Sequence, residues 1–164
     1  MKSKLISKRP KTYAVIFETG DEFLKGMLQF CQETGMGASR FTAVGAFERV
    51  TLAHLDWETK QYIPVPVEER VEVLTLSGDI ALYEGKPQIN AHTVLGRRDG
   101  TTRGGHILKA IVRPTLEVIL DEAPVHLRKR YNPEMGLAFI DISQDGDMLR
   151  KRISRTDCLD RTML

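Results

Sequence analysis

Cysteine, tryptophan, long apolar runs and net charge are all scarce in this chain. Its 164 residues include two cysteines, Cys31 and Cys158. One falls in a helical pattern and the other in a polar tail, so neither a disulfide framework nor a zinc knuckle is expected, and a reducing cytoplasm is the expected location. No apolar run approaches the roughly 20 residues that cross a bilayer, which argues against a membrane partner. The basic start Met1-Lys2-Ser3-Lys4 leads into no apolar stretch, so no secretory signal is expected. The formal net charge of +2 is too small to demand a polyanionic partner by itself. P-loop, dinucleotide-binding and nucleophile-elbow patterns are missing, and so is a helix-turn-helix pattern. The common nucleotide-dependent and serine-hydrolase classes are thereby set aside.

What is present describes one ordinary globular domain. Hydrophobic residues make up 41% and charged residues 28%, enough apolar surface to exclude a wholly disordered chain. Charge collects at the ends. Lys2, Lys4, Lys8, Arg9 and Lys11 occur without an acid, so residues 1–11 read as a basic, flexible N-terminus. Residues 143–164 mix arginine with aspartate and read as a polar tail. The domain proper is expected over residues 12–142.

Within it, Tyr13, Val15 and Phe17 alternate as a strand. Thr19 with Glu22 fits a capping box, with Asp21 as the other candidate cap. Phe23, Leu24, Met27, Leu28 and Cys31 then recur at helical spacing, and Gly35 and Gly37 end the helix. Strand patterns dominate the rest: Phe41 to Phe47, Val50 to Trp57, Val71 to Leu76, Ile89 to Leu95, His106 to Val112, Thr115 to Asp121 and Leu137 to Ile142. Pro64 and Pro66 rule out a central strand around them. Glu84-Gly85 marks a turn, and a second short helix is expected around Pro124 to Tyr131. One principal helix with seven or eight strands makes a mostly antiparallel α+β domain.

The segment from Gly85 to His106 is the richest in chemistry. Alternation puts Asn90 and His92 on one face, and His106 follows two glycines at the head of the next strand. A hairpin would bring His106 beside His92. Two imidazoles and an oxygen donor suit a divalent metal such as zinc; two half-buried histidines bonded to backbone are the other reading. For nucleic acid the candidates are Lys8, Arg9 and Lys11. His54 reads as structural, and His126 lies in a basic loop.

Ordered motifs carry a resemblance. Leu76-Ser77-Gly78-Asp79-Ile80, Gly85-Lys86-Pro87, Asn90-Ala91-His92, Gly104-Gly105-His106-Ile107 and Thr115-Leu116-Glu117-Val118-Ile119 are similar to the plant and prokaryote conserved (PPC) domain. The resemblance covers about Thr12 to Ile142. It implies an α+β domain in a homotrimer, either a DNA-binding, transcription-associated module or a metal- or small-molecule-binding protein similar to acetolactate decarboxylase. Some members hold a metal on a His-x-His pair plus the His of Gly-Gly-His. Here Asn90 stands for the first of those histidines, leaving His92 and His106, with Glu72 or Glu117 as candidates to complete the shell. Glu72 and Arg103 are the acid–base candidates. No catalytic residue is assigned.

Overall fold

The computed structural model describes residues 1–8, 11–123 and 128–141; of residues 2–8 only the backbone is described. Two strands open the chain, β1 (Lys2–Lys8) and β2 (Lys11–Glu18), followed by the helix α1 (Phe23–Thr34). Then come β3 (Ser39–Leu55), β4 (Tyr62–Val67), β5 (Val71–Tyr83), β6 (Lys86–Gly96) and β7 (Thr102–Glu122). A small hairpin, β8 (Lys129–Asn132) and β9 (Leu137–Ile140), ends the described part. Among the described residues there is one helix, and none is long and apolar enough to cross a membrane.

The seven strands β1 to β7 form one antiparallel sheet in the order β1-β2-β7-β6-β5-β3-β4. β7 also pairs with β3, so β3, β5, β6 and β7 close into a ring. The long strands bend to do this at bulges. Gly45 sits at one, with φ 144°, and a Cβ there would lie 2.3 Å from the Thr115 carbonyl oxygen. Only glycine fits, because the backbones of β3 and β7 touch.

Alternation along the strands fills the interior. Phe17, Phe47, Leu76, Ile80, Leu95, Ile107, Leu116 and Leu120 are fully buried. The helix packs against β6 and β7. Phe23 meets Phe17, Phe41 and Phe47 with ring centroids 5.6, 6.2 and 6.4 Å apart.

Several sequence expectations need correction. The cap of α1 is Glu22, whose carboxylate accepts from the backbone N–H of Leu24 and Lys25 and also from Ala110 on β7. Thr19 instead donates to the Pro114 carbonyl, and Asp21 binds the N-terminal amine. On α1, Phe30 is buried where Leu28 is exposed, because the stripe that meets the sheet is rotated. Phe41 to Phe47 and Val50 to Trp57 are parts of one bulged strand, β3, that ends at Leu55. β7 likewise runs unbroken through Arg113-Pro114, and β5 continues past Ser77-Gly78-Asp79 to Tyr83. Lys129–Asn132 is a strand where a second helix was expected; residues 124–127 lie outside the described residues. Before the expected start at Thr12, Lys2–Lys8 form β1, paired with β2. The tail after Asp141 lies outside the described residues.

Candidate functional site

Two hairpins and the small β8–β9 hairpin build the site. The first hairpin turns at Glu84 and Gly85, which both have positive φ (50° and 77°), as a two-residue primed turn requires. Register then pairs Asp79 with Asn90 and Ser77 with His92. The second hairpin pairs His92 with His106 across β6 and β7. Directly opposed residues share one face, so the two imidazoles meet, with ring centroids 5.1 Å apart at 66°. Tyr62, from the edge strand β4, stacks on His106 at 4.9 Å and 20°. Gly105 lets β3 come close here: a Cβ on it would lie 2.9 Å from the Ala53 carbonyl oxygen.

Beside the histidines runs a polar chain. The Asn90 side-chain amide donates to Asp79 Oδ2 at 3.0 Å. The Lys129 ammonium, brought by β8, stands 3.2 Å from Asp79 Oδ1 and is almost wholly buried. Among the described residues Oδ1 makes no directional hydrogen bond, and the ion pair offsets its desolvation. Residues from β9, Leu137 and Phe139 among them, complete the wall of an open cleft of about 780 Å³.

His106 is half-buried, and its Nδ1 is buried with no hydrogen-bond partner among the described residues. Burial, then the neighbouring His92 and Lys129 charges, hold its pKa below the ordinary 6.5. It is therefore a neutral imidazole at pH 7, able to donate from one nitrogen and accept on the other.

Of the residues singled out from the sequence, the cleft brings together His92, His106 and Asn90. His54, read as structural, also lines it and is exposed. Glu72, Arg103 and Glu117 do not belong to it. Glu72 pairs with Arg70 at 2.8 Å beyond a bulge of β5, Arg103 lies opposite Leu95 near the hairpin end, and Glu117 lies opposite Ile16 far along β7. Strand length separates them from the pair. Sequence reasoning does not join Asp79, Lys129 or Tyr62 to the histidine pair, beside which they line the cleft. Asp79 was reachable by counting pairs back from the Glu84-Gly85 turn; Lys129 carries no local signal.

A metal on this site would need a third donor. Among the described residues, no group of three or more His, Cys, Asp or Glu side chains stands where it could hold an ion. The Asn90 amide nitrogen is committed to Asp79, and an amide oxygen is a poor substitute for imidazole on zinc. The residues present do not fit a resident metal.

Of the nucleic-acid candidates, Lys8 ends β1, Arg9 lies outside the described residues, and Lys11 opens β2, 3.7 Å from Glu122. Trp57 is exposed, with the Lys60 ammonium over one face of its ring, 3.3 Å from the ring centre. His126 lies outside the described residues.

A sequence profile of the Plants and Prokaryotes Conserved (PCC) domain matches residues 6–124. The chain belongs to this family. Solved structures agree. A candidate DNA-binding protein from Bacteroides thetaiotaomicron is 27% identical, with a TM-score of 0.80 over 85% of this chain and 96% of that one. Another, from Ralstonia eutropha, is 26% identical, with a TM-score of 0.75 over 79% and 90%. A plant- and prokaryote-conserved protein from Pyrococcus horikoshii is 25% identical, with a TM-score of 0.75 over 85% and 94%. Among curated proteins, none matches the chain.

Proposed function

We propose that this PPC-domain protein is a cytoplasmic homotrimer that associates with DNA through the basic N-terminal strand, without reading sequence. The observation that carries the reading is the place of that strand. β1, with Lys2, Lys4 and Lys8 and no acid, is an outer edge of the seven-stranded sheet. Lysines on an edge strand discourage edge-to-edge pairing, and the same charges suit phosphate. The names of the Bacteroides and Ralstonia proteins support a DNA partner.

Self-association is supported by apolar side chains left on the outside of the ring. Val44, Leu74, Val94 and Ile119, on β3, β5, β6 and β7, are all exposed. A copy of the chain would cover them. The number three rests on the family resemblance.

Full-length protein should scatter light with about three times the 18.5 kDa chain mass. It should bind duplexes of unrelated sequence alike, losing affinity steeply as salt rises. Replacing Lys2, Lys4, Lys8 and Lys11 with glutamine should flatten the salt slope by about 0.9 per lysine in contact, at unchanged mass. An unchanged slope, or a strong preference for one duplex, refutes the reading.

A further inference from the structure

We propose that the cleft over His92 and His106 takes a small organic anion, a carboxylate attached to an apolar body, and that it does so without a metal. This reading is independent of the DNA proposal, since the cleft and β1 are separate parts of the sheet.

The hydrogen-bonding groups of the lining decide the sign of the ligand. His54, His92, His106 and Lys129 face the cleft, and among the described residues Asp79 is the sole acid lining it. Both oxygens of Asp79 are engaged, one by Asn90 and the other by Lys129. A cationic ligand would find no free carboxylate among the described residues of the lining. An anionic head would find imidazole N–H groups and a desolvated ammonium nearby. A buried polar atom without a partner costs free energy, and His106 Nδ1 is one such atom. As a neutral imidazole, His106 carries one N–H donor and one acceptor nitrogen.

The remaining walls decide the shape of the ligand. Tyr62, Ile89, Leu137 and Phe139 supply apolar surface around the polar floor. A cleft of about 780 Å³ is the size that accepts a small organic molecule. Phe139 and Tyr62 are partly exposed at its edge, available to the body of a bound molecule. Charged donors at one end and aromatic or aliphatic walls elsewhere suit an arylalkanoate or a branched alkanoate better than an inorganic anion.

A matched series tests this on the full chain at pH 7 in the presence of EDTA. 3-Phenylpropanoate, its primary amide and 3-phenylpropylamine differ only in the head group. Titration followed by calorimetry and by the imidazole NMR signals should show the carboxylate binding about tenfold or more tightly than either analogue. The His92 and His106 ring signals should move with it. The pair His92→Gln and His106→Gln, made together, should lower carboxylate affinity about tenfold at unchanged mass and circular dichroism. Equal or tighter binding of the amine overturns the proposal, as does failure of the carboxylate to bind at millimolar concentration. Binding that appears only when zinc replaces EDTA also overturns it, and would show a metal site instead. If the double variant does not fold, the head-group comparison on the native chain still decides.

Discussion

The two faces of β6 and β7 obey different rules. Inward, Ala91, Leu95, Ile107 and Ala110 are buried in the core. Outward, Asn90, His92 and His106 stand in a cleft whose far wall comes from β8 and β9. One ribbon serves both because side chains alternate. The inner face is settled by hydrophobic burial, which asks only for apolar volume. The outer face depends on which distant polar groups arrive, since each buried donor or acceptor needs its own partner.

The sharpest contrast should come from Leu95→Ala. Leu95 is fully buried, so its loss should cost about 2–5 kcal/mol, read from urea denaturation. His92→Gln, on the exposed face, should cost under about 1 kcal/mol. Similar costs for the two would break the comparison.

Next in size is a gain of function. Asn90→His would supply a third imidazole, with Asp79 behind it as the carboxylate that orients a ligating histidine. Zinc affinity should rise about tenfold or more over the native chain at one pH. Equal affinity would mean that these side chains do not converge on one point.

Lys129→Met removes the cation from Asp79 and should cost about 1–3 kcal/mol, because a partly buried carboxylate is left unpaired. Hydrogen exchange should quicken chiefly in β8 and β9, since this ion pair ties the hairpin to β5. Adding Asp79→Asn should recover part of the loss. Uniform quickening across the core would show that the pair serves the whole fold.

The smallest effect is on pH dependence. The folded pKa of His106 lies below its ordinary 6.5. The unfolded state therefore binds the proton more readily, and stability falls as pH drops from 6.5 toward the folded pKa, then levels off. His106→Gln should lessen that loss on acidification in thermal melts. An unchanged slope would mean that His106 is as solvated as a free imidazole.

Much of this was legible in the chain. Tyr13, Val15 and Phe17 announced β2, and the helical spacing from Phe23 to Cys31 announced α1, because local periodicity reports a buried face directly. Pro64 and Pro66 ruled out a central strand, and β4 around them lies at an edge. The meeting of His92 with His106 was anticipated from alternation plus a hairpin, which needs only short-range geometry. Asp79 was available by the same means: four pairs back from Tyr83–Lys86 stands Asp79–Asn90. Glu72 and Glu117 misled because a carboxylate near a motif in sequence can be several residues away along an extended strand. The continuity of β3 and β7 was hidden because bulges interrupt the two-residue period without ending the strand.

By itself the sequence determined the class of fold, its single helix, the ribbon from Lys86 to His106 and which of its residues face outward. These follow from backbone geometry acting over a few residues. Closure of β7 onto β3, the stacking of Tyr62 on His106 and the burial of Lys129 against Asp79 were decided only by the tertiary structure. Each joins segments tens of residues apart, and such contacts are selected by the packing of the whole chain.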